Sequence, residues 1–324
     1  MMMRLALASA AALLAIGGTA MAQDYPAKGR VITTIVPSTA GGGTDTAARL
    51  AAPLLEKELG VPVEIVNKPG ASMQIGLTEV TRAKPDGYTL VWSVLPTAAS
   101  IYLDPDRQAS FKRDSLAPIA MYYGAPFGIV VLGNSPYKTL KDVVDAAKAD
   151  PGKLKSGTTG FMSTGHFANI AFQQGTGTKM ATVNFQGGGP QLTALLGGHI
   201  DVGFNSIGEL LPSHKSGAVR IIAVMDDTRS DLIPDIPTVA EAGFKVESIG
   251  SDIGLSAPAG TPQPVIDRLA EAMRTVTQDP GLKARMLDLG NTIKYLDPAQ
   301  YAKFWDAVDE RFKPLIDEAK KQGK

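Results

Sequence analysis

The sequence predicts an α/β protein built on mostly parallel sheets. Short β-rich runs alternate with helical patterns along most of the chain, the rhythm of βαβ units. The turns from strand to helix are rich in glycine and small polar residues, as tight βα connections require. A Pro/Gly-rich stretch near residue 124 opens a second βα region, and about 300 residues are enough for two domains.

The elements follow in order. Met1–Arg4 is basic, Leu5–Ile16 is apolar and dominated by Ala and Leu, and Ala20-Met21-Ala22 is a small-x-small site. That is the pattern of a secretory signal peptide over residues 1–22, cleaved after Ala22, with a periplasmic destination for the mature chain. Val31–Val36 reads as a buried strand, Thr44–Leu59 as a helix and Val63–Val66 as a second strand. A helix lies within Gly70–Ala83, and Asp86-Gly87 turns the chain into a third strand at Thr89–Ser93. The second region gives a strand at Phe127–Leu132, then a helix announced by the capping pair Thr139 and Asp142. Two more strand–loop–helix units follow through Lys155–Gln174 and Ala181–Gly198. Strands are expected at His199–Asn205 and Val219–Met225. Another strand, a proline-rich turn and a helix lie in Ser251–Leu269. The tail from Pro298 to Lys324 reads as helical, with Tyr301, Phe304, Trp305 and Phe312 spaced to pack one face on a core.

Composition excludes several functions. The 32 basic and 32 acidic residues balance without a dense Lys/Arg block, which argues against nucleic-acid or membrane-surface binding. With no Cys there is no disulfide, thiolate metal site or Cys-linked lipid anchor. The three His residues, His166, His199 and His214, lack metal-ligand spacing, so neither a metal nor a cofactor is expected. Gly41 and Gly43 fit the first two positions of G-x-G-x-x-G, but the third falls on Thr46 and four residues separate the strand from the first Gly. No G-x-S-x-G elbow occurs; Gly160-Phe161-Met162-Ser163-Thr164-Gly165 is one residue too long. A hydrolase using Ser163 with His166, or Ser38, is the alternative to a binding protein.

Four helix starts preceded by small, donor-rich residues remain: Ser38–Asp45, Asn67–Ser72, Thr158–His166 and Phe185–Pro190. In a parallel α/β sheet such loops follow strand C-termini, where ligands bind, and free N–H groups at a helix start attract carboxylate or phosphate. Asp45 is expected to cap its helix in preference to facing the ligand.

At these residues the chain resembles a known family. The stretch from Tyr25 to Gly76, together with "AKPDGYTL", "VNFQGGGPQLTALLGGHIDVGF", "DIPTVAEAGF" and "GLSAPAGTP", is similar to the periplasmic solute-binding proteins of tripartite tricarboxylate transporters, the Bug or TctC family. The resemblance implies a two-lobed Venus-flytrap fold, each lobe a mostly parallel sheet flanked by helices. Crossing strands fall near Phe127–Leu132 and Ile249–Ala257, and the domains are 23–124 plus 252–324, and 125–251. It implies a monomer that captures a small organic carboxylate and delivers it to a membrane permease. Ser38, Thr39, Ala40, Gly41, Gly42, Thr44 and Asp45 match the loop that holds the ligand carboxylate. Met73, Gln74 and the Thr158–His166 loop, with Phe161, Met162, Ser163, Thr164 and His166, match those that close the pocket. Thr97 and Gln186 complete the lining, with Asn205 and Ser206 at the far side. Two departures stand out: Ser251-Asp252-Ile253 where many relatives carry an aromatic pair, and Phe161-Met162 where many are Gly/Ser-rich. The second implies an apolar pocket wall suited to an aromatic or longer carboxylate.

Overall fold

The computed structural model describes residues 25–322. The expected signal peptide and its cleavage site lie outside the described residues. The first unit runs β1 (Ile32–Val36), α1 (Gly43–Leu59), β2 (Val63–Asn67), α2 (Gln74–Thr81), β3 (Thr89–Leu95) and α3 (Thr97–Leu103). β1 pairs in parallel with both β2 and β3. Helix α1 ends at Gly60 in the left-handed conformation, where glycine avoids the Cβ clash, and its N–H bonds back to Glu56.

β4 (Leu116–Leu132) is the longest strand, 17 residues, and organises the fold. Its sequence, LAPIAMYYGAPFGIVVL, is apolar on both faces, as a strand buried on both sides requires. After it come α4 (Leu140–Ala149), β5 (Lys155–Thr158), α5 (Thr164–Thr176), β6 (Ala181–Asn184), α6 (Gly188–Leu196), β7 (Val202–Ser206), α7 (Ile207–Lys215) and β8 (Val219–Val224). The chain closes with β9 (Gly250–Pro258), α8 (Gln263–Gln278), α9 (Pro280–Asp288), β10 (Thr292–Leu296) and α10 (Pro298–Gln322). Strands β6, β5 and β7 form the second parallel group.

The two groups meet on β4. From Leu116 to Pro126 it pairs antiparallel with β9, and from Phe127 onward with β7 and β8. The exchange of partners falls at Pro126, which has no N–H to donate. Beside it Met225 donates to the Phe127 carbonyl and Ile249 to the Met225 carbonyl, so the return crossing lies against the first. These crossings add antiparallel pairs to two otherwise parallel groups, and the result is a two-lobed α/β fold.

Several elements differ from the sequence reading. The crossing strand begins at Leu116, eleven residues before Phe127, because the run ahead of it is equally apolar. β7 starts at Val202 and not His199, since the His199 N–H still bonds the Ala194 carbonyl at the end of α6. α3, α9 and β10 were not anticipated; α3 is short and buried at nearly every position, which hides helical periodicity. The tail helix buries Tyr301, Trp305 and Phe312 as its spacing requires. It also does something the spacing did not reveal. Trp305 Nε1 donates to Tyr102 of the first lobe at 2.8 Å and Lys320 pairs with Asp104 at 3.0 Å. On its other side the Phe312 ring lies 5.4 Å from Phe167 of α5, and Arg311 pairs with Glu247 at 3.4 Å. Helix α10 therefore runs along the seam between the lobes.

Asp252 sits on β9 at this seam, opposite Gly124. Burial pushes its carboxyl up to about 6, opposed by Lys294 and Arg311 and reinforced by Asp226. The folded protein thus keeps a proton that the unfolded chain has already lost, so stability falls as pH rises from about 4 to about 6. Asp252→Asn should gain stability relative to the parent across that window, by about 1–3 kcal/mol once above it. Urea unfolding at a series of pH values tests this; a difference that does not change with pH would show that Asp252 ionises normally.

Candidate functional site

A cavity of about 630 Å³ lies between the lobes, within the range of small-ligand sites. Its floor is the crossing pair: Tyr123, Ala125 and Phe127 of β4, with Ser251 and Ile253 of β9. Its walls are the loops after the C-terminal ends of the parallel strands, the position that ligand sites take in such sheets. Ser38, Gly41–Thr44 and Thr46 come from the β1–α1 connection, Ser72 and Met73 from the start of α2, and Val94 and Thr97 from the end of β3. The opposite wall is Thr159, Ser163, Thr164, Gly187, Gly188, Asn205, Ser206, Gly208 and Glu209, and Leu289 and Asn291 complete the rim.

Five helices begin at this cavity without a side-chain cap: α1 after Gly42, α2 after Met73, α3 after Pro96, α6 after Gly187 and α7 after Ser206. Their first N–H groups have no acceptor within the helix. Gly187, at φ 112°, adopts a backbone conformation closed to other residues. Gly43 faces open space, so a side chain there would project without obstruction. The Ser38 hydroxyl is buried at the same wall and makes no hydrogen bond in the protein. The buried Tyr123 phenol hydrogen-bonds Thr44; burial raises its pKa and that bond opposes the rise.

Asp45 does not line the cavity. Its carboxylate is 2 % exposed and faces back into the protein. It accepts from the Gly41 N–H at 2.8 Å, from Arg49 Nε at 3.0 Å and from Asn67 Nδ2 at 2.9 Å. Burial opposes its ionisation, but the bonds from Arg49, Gly41 and Asn67 outweigh that and hold the carboxyl below the ordinary Asp value. Asn67 also donates to the Ser38 carbonyl at 3.1 Å. One buried carboxylate thereby fixes both ends of the glycine loop. The edge beside α2 is strained: Ala71, Ser72 and Met73 all have positive φ, at about 1–2 kcal/mol each. Arg107 braces it by donating to the Ala71 carbonyl, while Gln74 donates to the Arg107 carbonyl.

Of the residues expected from sequence, Ser38, Gly41, Gly42, Thr44, Met73, Thr97, Ser163, Thr164, Asn205 and Ser206 come together around the cavity. Thr39, Ala40 and Gln186 are exposed on loop crests, and Gln74 turns away to Arg107. Phe161 and Met162 form no wall. Met162, at φ 58°, is packed in the core at 3 % exposure, and Phe161 is 45 % exposed with its ring against His166. His166 is buried and its Nδ1 accepts from the Met162 N–H at 3.1 Å. The Ser163 hydroxyl donates to the Gly160 carbonyl at 2.7 Å and caps α5 by accepting from the His166 N–H. Sequence reasoning missed Tyr123, Ser251, Asn291 and Glu209. A lone acid in the first turn of a helix reads as a complement to the helix dipole and gives no other signal.

Thr164 Oγ1 lies 3.0 Å from Ser251 Oγ on the cavity floor. At the rim the two lobes touch. Gly208 of α7 meets Leu289 and Gly290 so closely that a Cβ on Gly208 would lie 2.3 Å from the Leu289 carbonyl oxygen.

Two α/β lobes joined by crossing strands, with helix starts gathered around the cavity between them, define a solute-binding protein of the periplasmic type. The chain belongs to the tripartite tricarboxylate transporter receptor family, whose model, described as "Tripartite tricarboxylate transporter family receptor", matches residues 47–320. It is 30% identical to the protein BugT of Bordetella pertussis over 89% of this chain and 88% of that one. Among solved structures it is similar to MatC of Rhodopseudomonas palustris with bound malate, at 29% identity and TM-score 0.77, covering 89% of this chain and 99% of that one. It is likewise similar to Rpa4515 of R. palustris with adipate, at 25% identity and TM-score 0.80, covering 91% of this chain and 98% of that one.

Removing the Asp45 carboxylate leaves Gly41, Asn67 and Arg49 without their common acceptor. Asp45→Ala should cost about 1–3 kcal/mol of stability near neutral pH. Because the carboxyl is depressed in the folded state, that cost should shrink as pH falls through the ordinary Asp range. Chemical denaturation at two pH values measures both; an unchanged midpoint would remove Asp45 from the account of the loop.

Proposed function

We propose that this protein captures a small organic carboxylate between its lobes and delivers it to the membrane permease of a tripartite tricarboxylate transporter. One observation carries the reading: uncapped helix starts and the unpartnered Ser38 hydroxyl converge on one cavity whose lining, among the described residues, contains no Lys, Arg or His. Such a cavity offers fixed N–H and O–H donors to an anion. Each helix end contributes about 0.3–1 kcal/mol when exposed and up to about 2 when partly buried. A carboxylate lies at the α1 start, on Gly42, Gly43, Thr44 and Ser38. The bound malate and adipate of the two R. palustris neighbours support this ligand class.

The lobes are 23–124 with 252–324, and 125–251, and they rotate about the exchange point in β4. Closure buries the ligand and excludes water, which strengthens each polar contact. The closed form is the one the permease reads. The mature protein works as a monomer in the periplasm after cleavage at Ala22. It holds its ligand without transforming it: the Ser163 hydroxyl caps a helix and the His166 Nδ1 is engaged by backbone, which favours binding over acyl transfer.

Calorimetry with a panel of carboxylates should find a class that binds. Gly43→Val, whose side chain projects into open space at the α1 start, should lower that affinity at least about tenfold with little change in the melting temperature of the free protein. Unchanged affinity would move the carboxylate elsewhere. Gly208→Ala, whose Cβ would overlap the Leu289 carbonyl, should force the lobes apart at this contact and weaken binding. Full retention of affinity would exclude closure through this contact.

A further inference from the structure

Among the described residues, Glu209 is the only one lining the cavity whose side chain carries a formal charge at neutral pH. It stands in the first turn of α7 and reaches across to the start of α6. Its Oε2 lies so close to Gly188 that a Cβ there would overlap it at 1.6 Å, so glycine at 188 makes room for this carboxylate. Asn205 donates to it and also to the Gly188 carbonyl at 3.3 Å. The start of α6 is therefore already met by a negative charge of the protein, whereas the start of α1 is not, because Asp45 is turned away from the cavity. The two sides of the cavity differ in charge: N–H and hydroxyl donors with no charged side chain at Ser38 and Gly42–Thr44, a carboxylate at Glu209.

We infer that Glu209 is a specificity-determining residue, and that it selects a ligand with a carboxylate at one end and a protonated amine at the other. This deepens the proposed function and rests on the carboxylate lying at α1. A second ionised carboxylate would meet Glu209 in a partly desolvated site, where like charges repel strongly and neither has a cation to relieve it. An ammonium group there would supply the missing counter-charge through a charge-assisted hydrogen bond. Burial pushes the Glu209 carboxyl up, with Asn205 opposing, as expected of an acid that lacks a cationic partner in the ligand-free protein.

Matched ligands of equal chain length test the inference: succinate against β-alanine, glutarate against γ-aminobutyrate, adipate against δ-aminovalerate. By calorimetry near neutral pH, at least one amino-carboxylate should bind the parent about tenfold or more tighter than its dicarboxylate partner. Glu209→Gln should abolish or reverse that preference, with the fold checked by circular dichroism. A parent that binds the dicarboxylates as well as or better than their partners overturns the inference while leaving the proposed function standing. So does a preference that survives in Glu209→Gln. If neither class binds the parent at any length, the proposed function fails and the inference with it. Should Glu209→Gln not fold, the parent's own ratio decides, together with Glu209→Asp, whose shorter carboxylate should narrow the preference.

Discussion

Backbone N–H groups at helix starts must find an acceptor, and in this protein several uncapped sets of them open onto the same cavity. That constraint explains much of the surrounding chemistry. Glycine at 43 and 187 leaves open space at those groups, glycine at 188 makes room for the Glu209 carboxylate, and the side chains that would ordinarily cap α1 and α6 are absent. Helix α5 shows the contrast. It begins at the same wall, but Ser163 caps it by accepting from the His166 N–H.

Holding those starts in place demands rigidity around them. Asp45 ties Gly41, Arg49 and Asn67 into one buried node behind the glycine loop. Arg107 and Gln74 brace the left-handed turn at 71–73. Neither group reaches the cavity, yet both fix the backbone that does. The fold places them there because each loop follows the end of a parallel strand, and the β1–β2 register sets Asn67 opposite Val36 at the strand ends.

Much of this was legible in the sequence. The alternating strands and helices, the glycine-rich loops and the capping pair Thr139–Asp142 depend on short-range rules, and the structure follows them. Asp45 read as a cap of its helix, but α1 has no side-chain cap; its carboxylate accepts instead from Gly41, Arg49 and Asn67 behind the loop. Tertiary partners were not legible. Phe161 and Met162 read as a pocket wall because they interrupt a small-residue loop, but the positive φ at Met162 sends its side chain to the core. Glu209 was invisible for a different reason. Its significance comes from Gly188, twenty-one residues earlier, and only the packing of α6 against α7 brings the two together.

The seam helix has a mechanical consequence. Along its length α10 grips Tyr102 and Asp104 on one side and Phe167 and Glu247 on the other, with crossing strands β4 and β9 beside it. A rod fastened to both halves resists any displacement that would stretch it. Within it Pro314 has no N–H to give to the turn before it, so that turn holds fewer bonds than its neighbours. The two halves of the molecule are therefore tied together along a line well away from the cavity as well as through the crossing strands beside it.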